Sequence, residues 1–175
     1  SMNKSSAHQE VSIFSFFSGA GFLDLGFEAE GFSVDFVNEY HLPFLEGYKH
    51  SRKILGIKPP RYGYSSESIA DILLQNDHEL KKHVAECKMQ NRLVGFIGGP
   101  PCPDFSVGGK NKGREGENGK LSETYIELIC RDKPDFFIFE NVKGLWQTKR
   151  HREFYEHLKS KLIKHGYILK DALVN

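Results

Sequence analysis

The sequence predicts an α/β fold, an open and mostly parallel sheet with helices on both faces. Three observations carry this expectation. Short apolar runs rich in β-branched and aromatic residues recur along the chain, each stops at glycine or at a polar pair, and helically spaced or polar stretches separate them. At 175 residues, 39% hydrophobic and 27% charged, the chain has the balance of one globular domain able to bury a core.

Val11 to Phe17 is a buried strand stopped by a tight turn at Ser18-Gly19-Ala20-Gly21. Helical spacing follows, with Phe22, Leu25, Gly26 and Ala29 on one face and Gly31 as the stop, so Gly19 to Glu30 reads as turn plus helix. Phe32 to Asn38 is a second strand ending at Glu39-Tyr40, and the three pieces make a βαβ unit with a parallel pair. Pro59, Pro60, Gly63 and the serines at 65, 66 and 68 mark a loop, with Ser68-Ile69 closing a short third strand. Asp71 to Gln90 is polar and helical. Leu93 to Ile97 is the next strand, stopped by Gly98-Gly99-Pro100-Pro101. A glycine-rich loop leads to a helix from Glu123 to Cys130, then to an apolar strand from Asp135 to Phe139 that ends at Glu140-Asn141. Phe154, Leu158 and Leu162 give the next helix a buried stripe, Gly166 ends it, and Tyr167 to Val174 is a final strand.

Lys plus Arg number 24 against 23 for Asp plus Glu, so a formal net charge of +1 gives no global field for gripping a polyanion. Any such partner must meet a local patch. The three cysteines, Cys87, Cys102 and Cys130, form no C-x-x-C pair, which argues against a disulfide framework and a structural zinc site. No metal is expected; His83 and Cys87 at i, i+4 are too few ligands. The N-terminus lacks an apolar signal core and no stretch has the length of a membrane span, so the expected setting is intracellular, in cytoplasm, nucleoid or nucleus. Residues 1–10 read as a cleaved-tag scar and a flexible N-terminus, and 11–175 as a single domain.

In open parallel sheets reactive groups gather beyond the carboxyl ends of the strands. Three strand ends here carry unusual residues, Gly19-x-Gly21, Cys102 and Glu140, and they are expected to converge on one cleft. Phe17-Ser18-Gly19-Ala20-Gly21 lacks the third glycine of a dinucleotide fingerprint, because Asp24 stands there. An adenosine-type ligand without a pyrophosphate fits better, with Glu39 accepting hydrogen bonds from a ribose diol. The bland alternative is a tight turn and a surface carboxylate. Prolines on both sides of Cys102 hold it extended, a rigidity suited to presenting a nucleophile. Cys87 and Cys130 lie in helical surroundings and read as small apolar packing residues. Glu140 closes an apolar strand, where desolvation favours the neutral acid and a proton-donating role; the alternative is a helix cap shared with Asn141. The stretch Gly108 to Gly119, with Lys110, Lys112 and Arg114, suits a lid that meets phosphates, although its composition alone favours a solvated surface loop. The basic run Lys149 to Arg152 reads as an exposed helix face.

Taken in order, F-S-G-A-G, N-E-Y at 38 to 40, G-G-P-P-C-P-D-F-S and F-E-N-V at 139 to 142 resemble the DNA cytosine methyltransferases that modify carbon 5 of the base. The resemblance runs from about Ser15 to the end of the chain. It implies a Rossmann-like methyltransferase sheet, S-adenosylmethionine as cofactor with S-adenosylhomocysteine as product, and double-stranded DNA as partner. Carried over by position, Phe17, Ser18, Gly19, Ala20, Gly21 and Phe22 would line the cofactor pocket together with Ser68, Ile69, Pro101 and Leu121. Glu39 would hold the ribose and Tyr40 would stack on adenine. Cys102 would be the nucleophile, Glu140 the acid at ring nitrogen 3, and Asn141 a support for that site. Ser106, Gly109, Lys110, Lys112 and Arg114 would form the nucleic-acid loop.

The chemistry of cytosine agrees with these roles. Carbon 5 is a poor nucleophile until a thiolate adds to carbon 6 while an acid shares a proton with nitrogen 3. A base inside a duplex cannot reach such a pocket and must be flipped out.

Three positions depart from the family pattern: Pro103 replaces a usual glutamine, Ser68-Ile69 a usual Asp-Ile, and Asn118 a frequent arginine. The chain also stops at Asn175, before the family's target-recognition region, which leaves the sheet incomplete at its C-terminal end. The expectation is a catalytic half, either a fragment or one subunit of a split enzyme with a C-terminal partner, that alone turns over poorly or not at all. Two alternatives stand beside it: a tRNA cytosine-5 methyltransferase with the same motifs, and a catalytically silent module that binds an adenosine ligand and regulates a partner. A restriction-modification role is family analogy.

Overall fold

The structure, a computed structural model, describes residues 10–19, 21–101, 112–140 and 149–170, with the side chains of residue 22 and of residues 112–118 left aside. In chain order the elements are β1 (Val11–Phe16), α1 (Phe22–Ala29), β2 (Ser33–Asn38), α2 (Leu42–Ile54), β3 (Tyr64–Ser65), α3 (Ile69–Leu74), α4 (Glu79–Met89), β4 (Leu93–Gly98), α5 (Lys112–Asp132), β5 (Phe136–Phe139) and α6 (Lys149–Lys164). The chain forms two compact units, residues 1–98 with 134–138, and residues 99–133 with 139–175.

The first unit is built on a sheet of order β3-β2-β1-β4-β5, in which β1 pairs in parallel with both β2 and β4, and β2 with β3. The expected α/β architecture is therefore present, and β1 lies at its centre. Side chains alternate across β1 with the period of two that a pleated strand imposes. Ile13 joins Val34, Val37, Leu45, Tyr48 and Ile97 on one face, where Leu23 and Phe27 of α1 also pack. Phe14 and Phe16 turn to the other face and meet Phe36 and Phe96, with ring centroids 5.0 to 5.9 Å apart. Phe16 pairs with Asn38 on one side and Gly98 on the other, so β1, β2 and β4 end level with one another at the carboxyl edge.

Gly95 in β4 has a steric reason. The ring of Phe136 occupies the place where a Cβ would project from Gly95. Asp135 adds a polar clamp at the same point: Val94 N donates to its Oδ2 at 2.7 Å, and its own N donates to Val94 O at 2.8 Å. Gly95→Ala forces the Phe136 ring off its position, and overpacking of this kind costs about 1–3 kcal/mol. The expected result is a lower denaturant midpoint with an unchanged slope; an unchanged midpoint would show that the ring moves freely.

In the second unit α5 buries Tyr125, Ile126, Leu128 and Ile129, and α6 buries Tyr155, Leu158 and Leu162. Phe139 joins them, with its ring 6.0 Å from Tyr125 and edge-on to Tyr155 at 5.9 Å. Lys161–Glu127 and His157–Glu123 pairs bridge the two helices at the surface.

Several sequence expectations are corrected. Residues 112–119, read as loop, are the first turns of α5, so Lys112 and Arg114 stand on a helix. Each glycine there costs about 1 kcal/mol against alanine. Propagation from the packed segment at residues 122–129 outweighs that cost, because each added residue gains a main-chain hydrogen bond without a new nucleus. The third strand is Tyr64–Ser65, and Ser68 begins a helix instead of closing a strand: its side chain accepts from Asp71 N at 3.1 Å, the reach of an S-x-x-D cap. Asp71 to Gln90 is two helices, broken where His78 Nδ1 accepts from Leu80 N and starts α4.

The inward face of α1 is Leu23, Asp24 and Phe27, whereas Gly26 and Ala29 are exposed, because the larger apolar pair at i, i+4 takes the core. Residues 167–170 carry no strand, and the rest of the expected final strand lies outside the described residues. Phe154 is half-buried and Tyr155 takes its place in the stripe with Leu158 and Leu162. The α2 helix had no counterpart in the sequence reading; Leu45, Tyr48 and Arg52 are its buried face. Among the described residues no helix is long and apolar enough to cross a membrane.

Candidate active site

The turn after β1 is shaped by its backbone. Phe17, Gly19 and Gly21 all have positive φ, at 54°, 53° and 85°, a region that L side chains rarely adopt. Gly21 N donates to Ser18 O at 2.9 Å and closes the turn. At Gly21 a Cβ would lie 2.6 Å from Tyr48 Cε2, so only glycine passes. At Gly19 a Cβ would meet nothing within 4 Å, so the backbone there faces open space.

Glu39, at the end of β2, is brought to this turn. Its Oε1 accepts from Gly19 N at 2.7 Å and its Oε2 from His41 N at 2.9 Å. Two main-chain donors thus hold a carboxylate that is 9% exposed, and each oxygen keeps a lone pair for a ligand hydroxyl. Tyr40 beside it is 71% exposed, a free aromatic face at the carboxyl edge of the sheet. Asn38 fixes the neighbouring loop, donating from Nδ2 to Glu67 O at 3.0 Å and to Ser65 Oγ at 3.2 Å. Ile69 follows that loop and is 3% exposed, while Ser68 is engaged as a helix cap. These residues fit a nucleoside: a charged acceptor for a diol, an open glycine turn and a ring available for stacking.

In the second unit Glu140 stands against the backbone of Gly99. A Cβ on Gly99 would come within 3.3 Å of Glu140 O and 3.4 Å of its Oε2. The carboxylate therefore lies over the glycine that leads into Pro100-Pro101-Cys102. The expected desolvation is not found: Glu140 is exposed and β5 is only half-buried along its length, because β5 is the last strand in the order of the sheet. Pro101 and Leu121 are half-buried.

The structure joins Gly19 to Glu39, and Glu140 to Gly99. Ala20, Cys102, Ser106, Gly109, Lys110 and Asn141 lie outside the described residues, and so does the expected meeting of Cys102 with the other strand ends. Phe22 opens α1. Cys87 is buried in α4 with Sγ 3.5 Å from Tyr62 O–H, and Cys130 is half-buried in α5, where desolvation pushes its thiol up from the ordinary value. Both are poor candidates for a thiolate. Sequence reasoning missed Ser15, Asp24 and Tyr48, which brace the turn from below. A serine inside an apolar strand and an aspartate inside an apolar helix face were the available signals.

A family model described as C-5 cytosine-specific DNA methylase matches residues 11–175. The Type II methyltransferase M.NmeDI of Neisseria meningitidis serogroup C is 57% identical over 164 residues, which are 93% of this chain and 39% of that protein. M.FnuDI of Fusobacterium nucleatum is 35% identical over 165 residues, covering 94% of this chain and 42% of the relative. M.MthTI of Methanothermobacter thermautotrophicus is 31% identical over 165 residues, 94% of this chain and 43% of the relative. The chain thus spans about two fifths of the length of these relatives.

Proposed function

Because the chain belongs to the C-5 cytosine-specific DNA methylases, we propose that its residues serve methyl transfer from S-adenosylmethionine to carbon 5 of a cytosine turned out of duplex DNA. The observation that supports this reading is the Glu39 carboxylate, clamped by Gly19 N and His41 N beside the exposed Tyr40 ring. Glu39 holds the ribose hydroxyls and Tyr40 stacks on the adenine, while the open backbone at Gly19 lets the ligand approach and the positive φ of Phe17 and Gly21 shapes the turn around it. Bound there, S-adenosylmethionine supplies an electrophilic methyl group and leaves as S-adenosylhomocysteine.

The other residues prepare the base. Cys102, as thiolate, adds to carbon 6, and its electron pair is accommodated as Glu140 shares a proton with ring nitrogen 3, with Asn141 supporting that contact. Carbon 5 of the resulting enamine takes the methyl group. Loss of the carbon 5 proton then expels the thiolate and restores the aromatic ring. Flipping the base is required because the stacked ring exposes neither carbon 6 nor nitrogen 3 to a side chain.

The test is a graft in which this chain replaces the matching residues of the Neisseria meningitidis relative. With S-adenosylmethionine the graft should produce 5-methylcytosine in a nuclease digest of duplex DNA and none in tRNA. Methylation of tRNA in preference to DNA would move the reading to the RNA-modifying branch. Absence of product from both, with the parent relative active, would favour a silent ligand-binding module.

A further inference from the structure

The turn that carries Gly19 rests on buried side chains that make no approach to the nucleoside site themselves. Tyr48 of α2 is fully buried, and Asp24 and Ser15 are each 1% exposed. Tyr48 O–H donates to Asp24 Oδ2 at 2.6 Å and Ser15 Oγ donates to Asp24 Oδ1 at 2.8 Å. The single hydroxyl proton of Ser15 is thereby spent on the carboxylate. In its 2.8 Å contact with Ser18 Oγ, Ser15 can then only accept, and the Ser18 proton lies between Ser15 Oγ and Asn38 O, the latter at 3.3 Å. Burial first and Asp24 second push the Tyr48 phenol well up from its ordinary value, so it remains a donor. The Arg52 guanidinium, paired with Glu28, lies over the Tyr48 ring 4.1 Å from its centroid and holds it in plane against Gly21.

We infer that Tyr48 and Asp24 are positioning residues for the nucleoside site: the ring packed on Gly21 and the shared carboxylate set the Ser18–Gly21 turn, and the turn sets Glu39. The inference rests on the reading of Glu39 as the ribose-binding group. Its logic is steric and directional. The Tyr48 ring fills the space that a Cβ at Gly21 would take, and the Ser18 hydroxyl just before Gly19 is tied to Ser15 Oγ at 2.8 Å and meets Asn38 O at 3.3 Å. The network links α1, β1 and α2, so removing the Tyr48 hydroxyl takes one donor from Asp24 and loosens the turn without touching ligand.

The experiment compares Tyr48→Phe with Ser12→Ala in the full chain. Ser12 is fully buried at the opposite end of β1, where its Oγ accepts from Arg92 Nε at 2.6 Å, so its loss destabilises the same unit away from the turn. Calorimetry with S-adenosylhomocysteine and amide hydrogen exchange at Gly19 are read beside the melting temperature. Tyr48→Phe should weaken binding about tenfold, the scale of one charge-assisted hydrogen bond, and speed Gly19 exchange to a similar degree. Ser12→Ala should lower the melting temperature while leaving affinity within about twofold. Unchanged affinity and exchange in Tyr48→Phe, with the unaltered chain binding, overturns the inference alone; so does a loss of affinity that simply follows melting temperature in both variants. Failure of the unaltered chain to bind S-adenosylhomocysteine overturns the Glu39 reading and this inference with it.

Discussion

Cys102→Ser in the grafted enzyme abolishes the covalent complex with a duplex oligonucleotide that carries 5-fluorocytosine at the target base. Fluorine at carbon 5 cannot leave as a proton does, so the adduct formed at carbon 6 persists and migrates as a protein–DNA band under denaturing conditions. A serine hydroxyl at neutral pH is almost wholly protonated, whereas a thiol provides a usable thiolate fraction. Methyl transfer should fall below detection while S-adenosylhomocysteine binding is retained, because in the proposed mechanism Cys102 acts on the base and not on the cofactor. A denaturation-resistant band from the serine variant would transfer the nucleophile to another residue. Neither Cys87 nor Cys130 is placed to inherit that role, the first being fully buried and the second having a thiol raised by desolvation.

Glu140→Gln should slow methyl transfer by about 10²–10⁴, the range of a positioned acid–base group. Glutamine keeps the shape and the contact with Gly99 but cannot share a proton with ring nitrogen 3. Single-turnover rates measured with saturating DNA separate this from weaker binding, and the loss should appear in the rate and not in the affinity for S-adenosylhomocysteine. The 3.3 to 3.4 Å spacing between Glu140 and a Cβ on Gly99 says why the carboxylate can stand there: any side chain at 99 would push it aside. A rate within a few-fold of the parent would remove Glu140 from the proposed acid role.

Much of the sheet was legible in the sequence because its strands carry their own signal. Val11–Phe16, Ser33–Asn38 and Leu93–Gly98 are short runs rich in β-branched and aromatic residues, interrupted by single small or polar residues and closed by glycine or a polar pair, and that is the pattern of a strand buried on both faces. Glu39 was legible for a related reason. An acidic residue directly after a buried strand is a costly placement unless donors meet it, and Gly19 N and His41 N donate to it. The glycines at 19 and 21 declared a turn, and the turn is there, with both in the left-handed region.

What composition proposed as a loop at residues 112–119 is helix, because local preference amounts to about 1 kcal/mol per residue and the packing of Tyr125, Ile126, Leu128 and Ile129 decides over a longer span. The exposure of Glu140 was equally invisible: it depends on β5 lying last in the order of the sheet, which no residue in its own strand reports. The brace of Ser15, Asp24 and Tyr48 joins three separate elements, and although a serine and an aspartate in apolar settings stand out, nothing local says that Tyr48 meets them. Sequence by itself determined four of the strands, β1, β2, β4 and β5, with the glycine turn and the chemical types at the strand ends, since periodicity and backbone permission are local properties. Only the tertiary structure decided which polar groups face one another, because a hydrogen bond between α1 and α2 is set by how two helices pack on one sheet.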